Sequence, residues 1–407
     1  MAFELDPGLF ENMHCKGITI KIVGIGGCGC NALNTMIENE INGVDYIAFN
    51  TKPQELLDSK APIRVRIGKN ATNGKGIESG SAFSKGLLNT TLISEEDSEH
   101  IAAQLHGADM VIIVAGMGKG TGTIASPLIA LIARNMGILT LGLITKPFTC
   151  EGRMKAKTAE NGITELRKYI DTLILVDNEE IMSSANENTT VNEAFDLANN
   201  VMYRTVKGIA DILNSRGHIN VNFGDLCGLM TNAGDAVIST SSASGERRAL
   251  RASTDAFNNL LLEGVLVHGA KGVLVNITGE VTMRDMSEAM TYIETQVGNE
   301  TNVINGYIEE ADISGETRVT VVVTGFKRKT IEELGTPVPG KPTETCNIGK
   351  SHETDYSIPA YIRRQTMIKD GEHQEHTLLT PTKKELRSGR IQTGLSDAPA
   401  YLHRMNN

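Results

Sequence analysis

Two kinds of hydrophobic pattern alternate along the first two thirds of the chain. Ile18–Val23, Tyr46–Phe49, Met110–Ala115, Ile138–Ile144 and Thr172–Val176 are short, nearly unbroken apolar runs. Such runs predict β-strands buried on both faces. Asn31–Glu40 and Ile124–Asn135 between them predict helices. In Val191–Asn214, the residues Ala194, Leu197, Ala198, Val201, Val206, Ile209, Ala210 and Leu213 recur at near-helical spacing and predict one long helix. Buried strands alternating with helices predict a doubly wound α/β fold, a parallel sheet covered on both sides. Further on, Leu226–Met230, Gly272–Thr278 and Arg318–Thr324 read as strands, and Ala249–Leu262 and Arg284–Val297 as helices. They predict a second, smaller α/β unit.

After Phe326 the periodicity stops. Residues 327–407 hold six of the 11 prolines and carry 13 Lys+Arg against 10 Asp+Glu, whereas the preceding residues carry 26 against 39. A polar, proline-rich stretch without an apolar face predicts a disordered linker and tail. The expected organisation is a flexible N-terminus (1–16), a first α/β domain (17–190), a central helix (191–217), a second α/β domain (218–326), a linker (327–355) and a tail (356–407). Two heptapeptides stand out in the tail, Ile358–Arg364 (IPAYIRR) and Ala398–Arg404 (APAYLHR). They read as short linear partner-binding motifs.

Composition narrows the function. With 40% hydrophobic residues the chain can build a core. A net charge of −10, 4% aromatics and no Trp argue against a nucleic-acid or anionic-membrane binder. Glu4, Asp6 and Glu11 in the N-terminal stretch argue against a signal peptide, and no apolar run is long enough to span a bilayer. Six scattered Cys without a CxxC pair fit a reduced, cytoplasmic protein with no metal site of its own.

Glycine is enriched, 41 residues of 407, and it concentrates in two turns. Val23-Gly-Ile-Gly-Gly-Cys-Gly-Cys-Asn31 follows a predicted strand and opens a helix. The amides of a helix N-terminus bind phosphate, and Gly lets that backbone come close. Taken alone, the turn also fits a dinucleotide site. That site wants an acidic residue closing the second strand, and here Phe49 is followed by Asn50 and Thr51. The second turn, Gly116-Met-Gly-Lys-Gly-Thr-Gly-Thr123, has the same strand-to-helix setting. Two such turns on one edge of a parallel sheet can grip a di- or triphosphate from two sides. Neither matches the P-loop pattern.

The second turn resembles the G-G-G-T-G-[ST]-G signature of the tubulin/FtsZ family, and Thr145-Lys-Pro-Phe148 resembles the loop after that family's next strand. The similarity runs from about Ile20 to Phe326, with a further match in the tail. It implies a tubulin/FtsZ-like fold, in which a doubly wound GTP-binding domain is joined by a long central helix to a smaller α/β domain. It implies GTP or GDP, with Mg2+ accompanying the nucleotide. Gly26, Gly27, Cys28, Gly29 and Asn31 would meet the phosphates from one turn. Gly118, Lys119, Gly120, Thr121 and Gly122 would meet them from the other. Glu151 would lie near the ribose, with Lys155 where the family has Arg. Phe195, Asn178 and Asn200 would meet the base.

The resemblance also implies head-to-tail homopolymers that form the division ring at midcell. GTP would be hydrolysed where one subunit's loop enters its neighbour's site. That loop is Asn220-Val-Asn-Phe-Gly-Asp225, with Asn220, Asn222 and Asp225 at the positions of the family's N-x-D-x-x-D. The tail peptides would dock on division proteins and membrane tethers, so that membrane contact is indirect. Cys28, Lys119, Asn200, Asn222, and Ile77 and Glu78 in Gly74–Gly80 depart from the family pattern and point to slow turnover. The alternative is a paralogue that co-assembles as a structural element and hydrolyses weakly. A nicotinamide enzyme is disfavoured by the second turn.

Overall fold

The computed structural model describes residues 18–69, 93–183, 189–214, 221–262, 265–298, 301–309 and 315–328. The N-terminal stretch, Gly74–Gly80, Asn220 and both tail peptides lie outside them. In chain order the elements begin with β1 (Ile20–Ile25), α1 (Gly26–Glu38), β2 (Val44–Asn50), α2 (Pro53–Leu57), β3 (Ile63–Arg66), α3 (Glu95–Leu105) and β4 (Met110–Gly116). Then come α4 (Gly120–Asn135), β5 (Leu139–Lys146), α5 (Arg153–Leu166), β6 (Thr172–Asp177), α6 (Asn178–Ser183) and α7 (Val191–Asn214). The remainder is α8 (Phe223–Met230), β7 (Gly234–Ser244), α9 (Arg248–Leu262), β8 (Val265–Leu266), β9 (Gly272–Gly279), α10 (Met283–Val297), β10 (Asn302–Ile308), β11 (Glu316–Thr324) and β12 (Lys327–Arg328).

Ten strands form one sheet in the order β10-β9-β11-β7-β6-β5-β4-β1-β2-β3. From β3 across to β7 every pairing is parallel, and β11 then runs antiparallel between β7 and β9. The chain winds outward from β1 through β2 to β3, then returns to β4 on the other side of β1. The strand order therefore reverses between β1 and β4. In open parallel sheets, the crevice at the carboxyl ends of such strands is where ligands bind.

Alternate residues of each strand feed opposite cores, as a sheet buried on both faces requires. Ile20 and Ile22 of β1, with Met110, Ile112 and Val114 of β4, pack with Leu33 and Met36 of α1 and with Met202, Val206 and Ile209 of α7. Val23, Ile25, Val111 and Ile113 face the other way, onto Ile124 and Ile129 of α4 and Ile163 and Leu166 of α5. A third core gathers Phe257 and Leu260 of α9, Ile293 of α10, Val273 and Val275 of β9 and Val319, Val321 and Val323 of β11. The long helix spans Val191–Asn214 as its periodicity predicts. Leu274 of β9 and Val322 of β11 belong to the same core cluster as its inner face. Among the described residues no helix is long and apolar enough to cross a membrane.

Leu226–Met230 is not the strand expected from its apolar run but the end of α8. Asn222 Oδ1 accepts from the Asp225 backbone N–H at 2.8 Å, and Asp225 Oδ2 accepts from the Asn222 N–H at 3.3 Å. This reciprocal capping box fixes a helix start. A five-residue apolar run cannot by itself distinguish strand from helix. Conversely, β7 is rich in Ser and Thr and carries no clear strand pattern. It is a strand because β11 pairs with it from Glu316↔Ser244 to Thr324↔Ala236, and β6 pairs on its other side.

The first turn of α1 is pinned to the sheet by Gly29. A Cβ there would stand 2.4 Å from Val114 O of β4 and 2.8 Å from Gly24 C. Backbone cannot yield to such a clash as a flexible side chain can. Gly29→Ala should therefore destabilise the chain by about 1–3 kcal/mol, read as a lower denaturant midpoint with an unchanged slope.

Candidate functional site

The carboxyl ends of β1, β4, β5 and β6 open into a cleft of about 490 Å³. Two helices begin at its floor, α1 at Gly26 and α4 at Gly120, and neither has a side-chain cap. Ser94, Asn222 and Thr282, by contrast, cap α3, α8 and α10. Uncapped first turns leave amide N–H groups without intrahelical partners and concentrate positive potential, a ready anion cradle. The two turns also touch. Gly26 adopts φ +70°, and a Cβ on it would meet Gly122 N at 3.2 Å and Thr121 Cβ at 3.3 Å. Thr121 Oγ1 hydrogen-bonds Thr51 Oγ1 at 2.8 Å. Thr123 Oγ1 accepts from the Gly118 N–H at 2.9 Å and donates to Lys119 O, which folds the second turn on itself.

Charged groups ring the cleft in pairs. Lys155 Nζ lies 3.3 Å from Glu151 Oε2, while Glu151 Oε1 accepts from the Phe148 N–H. Lys146 Nζ lies 3.1 Å from Asp177 Oδ2, and Lys52 Nζ lies 3.0 Å from Glu55 Oε1. Burial works to raise the Glu55 pKa, but hydrogen bonds from Asn50 and Lys52 and the charges of Lys52 and Lys119 win, leaving it below the ordinary carboxylate value. Lys119 stands exposed at the N-cap of α4 and makes no ion pair among the described residues. A cation at a helix N-terminus is unfavourable unless an anion joins it.

The far end of the cleft is flat and amphipathic. Phe195 remains 40% exposed and packs edge-on against buried Phe148, ring centroids 5.2 Å apart. Asn178 is only 4% exposed, lines the cleft, and its Oδ1 has no hydrogen-bond partner among the described residues. A buried acceptor left open costs free energy, which a ligand N–H would recover. An aromatic surface beside an open amide suits a nucleobase, and the uncapped turns suit its phosphates.

Of the residues singled out from sequence, Gly26, Gly27, Cys28, Asn31, Lys119, Gly120, Thr121, Gly122, Glu151, Lys155, Asn178 and Phe195 all line this cleft. Gly29 and Gly118 do not; they shape the two turns from behind. Asn200 does not either. It is exposed, and its Nδ2 donates to Asp196 O one helical turn back. Asn199, one position earlier on α7, is the asparagine that lines the cleft. Lys52, Glu55 and Lys146 were also missed. Lys52 follows the end of β2 and Lys146 closes β5, so a reading of every strand's carboxyl end would have found these two, whereas Glu55 reaches the cleft only through α2. Asn222 and Asp225 lie on α8, outside the cleft lining.

The sequence model for the tubulin/FtsZ family GTPase domain matches residues 19–186, and that for the FtsZ family C-terminal domain matches 234–327. The cell division protein FtsZ of Rickettsia felis is 39% identical over 78% of this chain and 69% of its own length. The chain belongs to the FtsZ family. The cell division protein FtsZ of Magnetospirillum gryphiswaldense is 39% identical over 81% of this chain, and the matched region spans 59% of that protein. A solved FtsZ dimer from M. jannaschii superposes with a TM-score of 0.70 at 31% identity, covering 82% of this chain and all of that one. The ten-stranded sheet with its reversal between β1 and β4 is thus the fold of an FtsZ.

Within this FtsZ-family cleft, Cys28 occupies ground next to glycine. A Cβ on Gly116 would meet its Cβ and Sγ at 2.8 Å, and Sγ lies 3.6 Å from Thr145 Oγ1. Burial pushes the Cys28 thiol up despite that contact, and burial pushes Cys30 up to about 11. A raised thiol pKa means little reactive thiolate at neutral pH. Iodoacetamide at pH 7 should therefore label exposed Cys150 well before Cys28 or Cys30, and Cys30 labelling should climb only as pH nears 11. Mass mapping of the alkylated cysteines checks this.

Proposed function

We propose that the chain binds GTP and GDP, polymerises head to tail, and hydrolyses GTP at the junction between subunits to build a cell-division ring. The carrying observation is the distribution of carboxylates. Within the cleft, Glu55 and Glu151 are both engaged by lysines and hydrogen-bond donors. The remaining candidate for orienting a water is Asp225, which lies on α8 outside the cleft lining. A cleft whose own carboxylates are held by lysines, with the half-buried Asp225 outside it engaged by the Asn222 N–H and by no cation among the described residues, suits a site completed by a second copy. Asp225 of one subunit would face the terminal phosphate held by the next, supplying the negative charge and water orientation that hydrolysis needs. Glycine amides of both turns would hold the phosphates, Lys119 would add charge there, and Phe195, Asn178 and Asn199 would take the base. Mg2+ would enter with the phosphates, since no cluster of three acidic, His or Cys side chains is present among the described residues.

Asn222 favours a second reading, a member that assembles but turns over slowly. An amide caps α8 as well as a carboxylate would, yet it brings no negative charge. Asn222→Asp should therefore leave stability unchanged and raise phosphate release severalfold. Asp225→Ala should lower it by about 10²-fold. Phosphate release per subunit should rise with protein concentration, and pelleting should require GTP rather than GDP or ATP. Turnover independent of concentration and indifferent to Asp225→Ala would remove the shared-site reading.

The two tail peptides would dock on division proteins and membrane tethers, placing the polymer at midcell in the cytoplasm. Two linked copies raise apparent affinity without a new contact. Deleting either should weaken recruitment of the polymer to a partner-coated vesicle by part. Complete loss on deleting Ile358–Arg364 alone would assign no role to the second.

A further inference from the structure

A carboxylate stands on the floor of the cleft where an incoming anion would be expected. α2 starts directly after β2, with Pro53 at its first position, and this brings Glu55 over the first turn of α1. A Cβ on Gly27 would be 2.9 Å from Glu55 Oε2 and 3.2 Å from its Cδ, so no space separates the carboxylate from that backbone. The position is built. Asn50 is fully buried at the end of β2; its Nδ2 donates to Glu55 Oε2 at 2.7 Å, and its Oδ1 accepts from the Lys52 N–H at 3.2 Å. Lys52 Nζ holds the other carboxylate oxygen. Lys119 adds its charge from the second turn. Both lysines line the cleft with Glu55.

We infer that Glu55 is a specificity-determining residue, a resident anion that penalises each further phosphate charge entering the cleft and so grades nucleotides by their number of phosphates. The inference rests on the nucleotide reading above. In the empty cleft Glu55 pairs with Lys52, and the charge of Lys119 acts on it without an ion pair. When phosphates approach the uncapped turn of α1, Glu55 faces them at close range, and like charges in a partly desolvated site repel strongly. Lys52 is then shared between Glu55 and the phosphates, which blunts the penalty without abolishing it. Guanosine, with no phosphate, would not feel it.

Equilibrium binding of guanosine, GDP and GTP to the full chain tests this, with and without Mg2+ and at two salt concentrations. Glu55→Gln keeps the acceptor for Asn50 and removes only the charge. It should tighten GTP by about tenfold, tighten GDP severalfold and leave guanosine unchanged. The gain should shrink at high salt as screening grows. Lys52→Gln, which leaves the carboxylate uncompensated, should move GTP affinity the opposite way. This second variant keeps the test decisive should Glu55→Gln unfold. Equal gains for guanosine and GTP would show a steric effect and overturn the inference. Weaker GTP binding by Glu55→Gln in Mg2+ alone would make the carboxylate a metal contact, and would also overturn it. A wild-type chain that binds none of the three would bring down the nucleotide reading itself.

Discussion

The in-register parallel pairing of β1 with β4 is the constraint on which the rest depends. Ile25 sits beside Ala115, so both strands end at the same level. The two glycine turns then leave the sheet side by side, and two helices start within contact of each other. Had the register slipped by one residue, the buried sets of both strands would have changed faces. Gly29 enforces that register from α1 by leaving no room above Val114 O. Gly122 does the same from α4, since a Cβ there would fall 2.5 Å from Gly116 O. Packing and ligand chemistry therefore draw on the same few backbone atoms, and their tolerance to substitution is correspondingly small.

Charge around the cleft follows a second economy. Three lysines are each matched to a carboxylate, and Lys119 is left over at a helix start. Exposed pairs of this kind contribute little to folding, about 0–1 kcal/mol each. Their value lies in holding long side chains in place and in setting the field that a polyanion meets on arrival. Phe195 and Asn178 complete the arrangement at the other end, where an aromatic face and an amide acceptor meet the ligand.

The strands flanking the cleft and the long helix were legible because each carries a clean period. β1, β4, β5 and β6 are continuous apolar runs, and α7 repeats its buried face over 24 residues. α8 was misread because five apolar residues carry no period of their own, while the signal that decides it, Asn222 with Asp225 three positions on, is polar. β7 was invisible because Ser and Thr satisfy a ladder without announcing one. Its strand character comes from partners far away in sequence. Within the site the glycines could be found from motif and position. Glu55 and Asn199 could not, since only the packing of α2 over α1 and the rotation of α7 bring them to the cleft. Asn200 shows how fine that limit is, because one step along a helix turns a side chain by about 100°.

The Asn222–Asp225 box has a bearing on how such a chain changes over generations. Residue 222 differs from an aspartate by one terminal group, an NH₂ in place of an oxygen, and the cap uses only the oxygen that both share. Folding is therefore blind to the exchange. On the proposed shared-site reading, an exchange at that position would register in turnover and not in folding. On that same reading, a lineage that came to need a lasting scaffold more than a fast cycle would cross this boundary in either direction by a single substitution, without passing through an unstable intermediate.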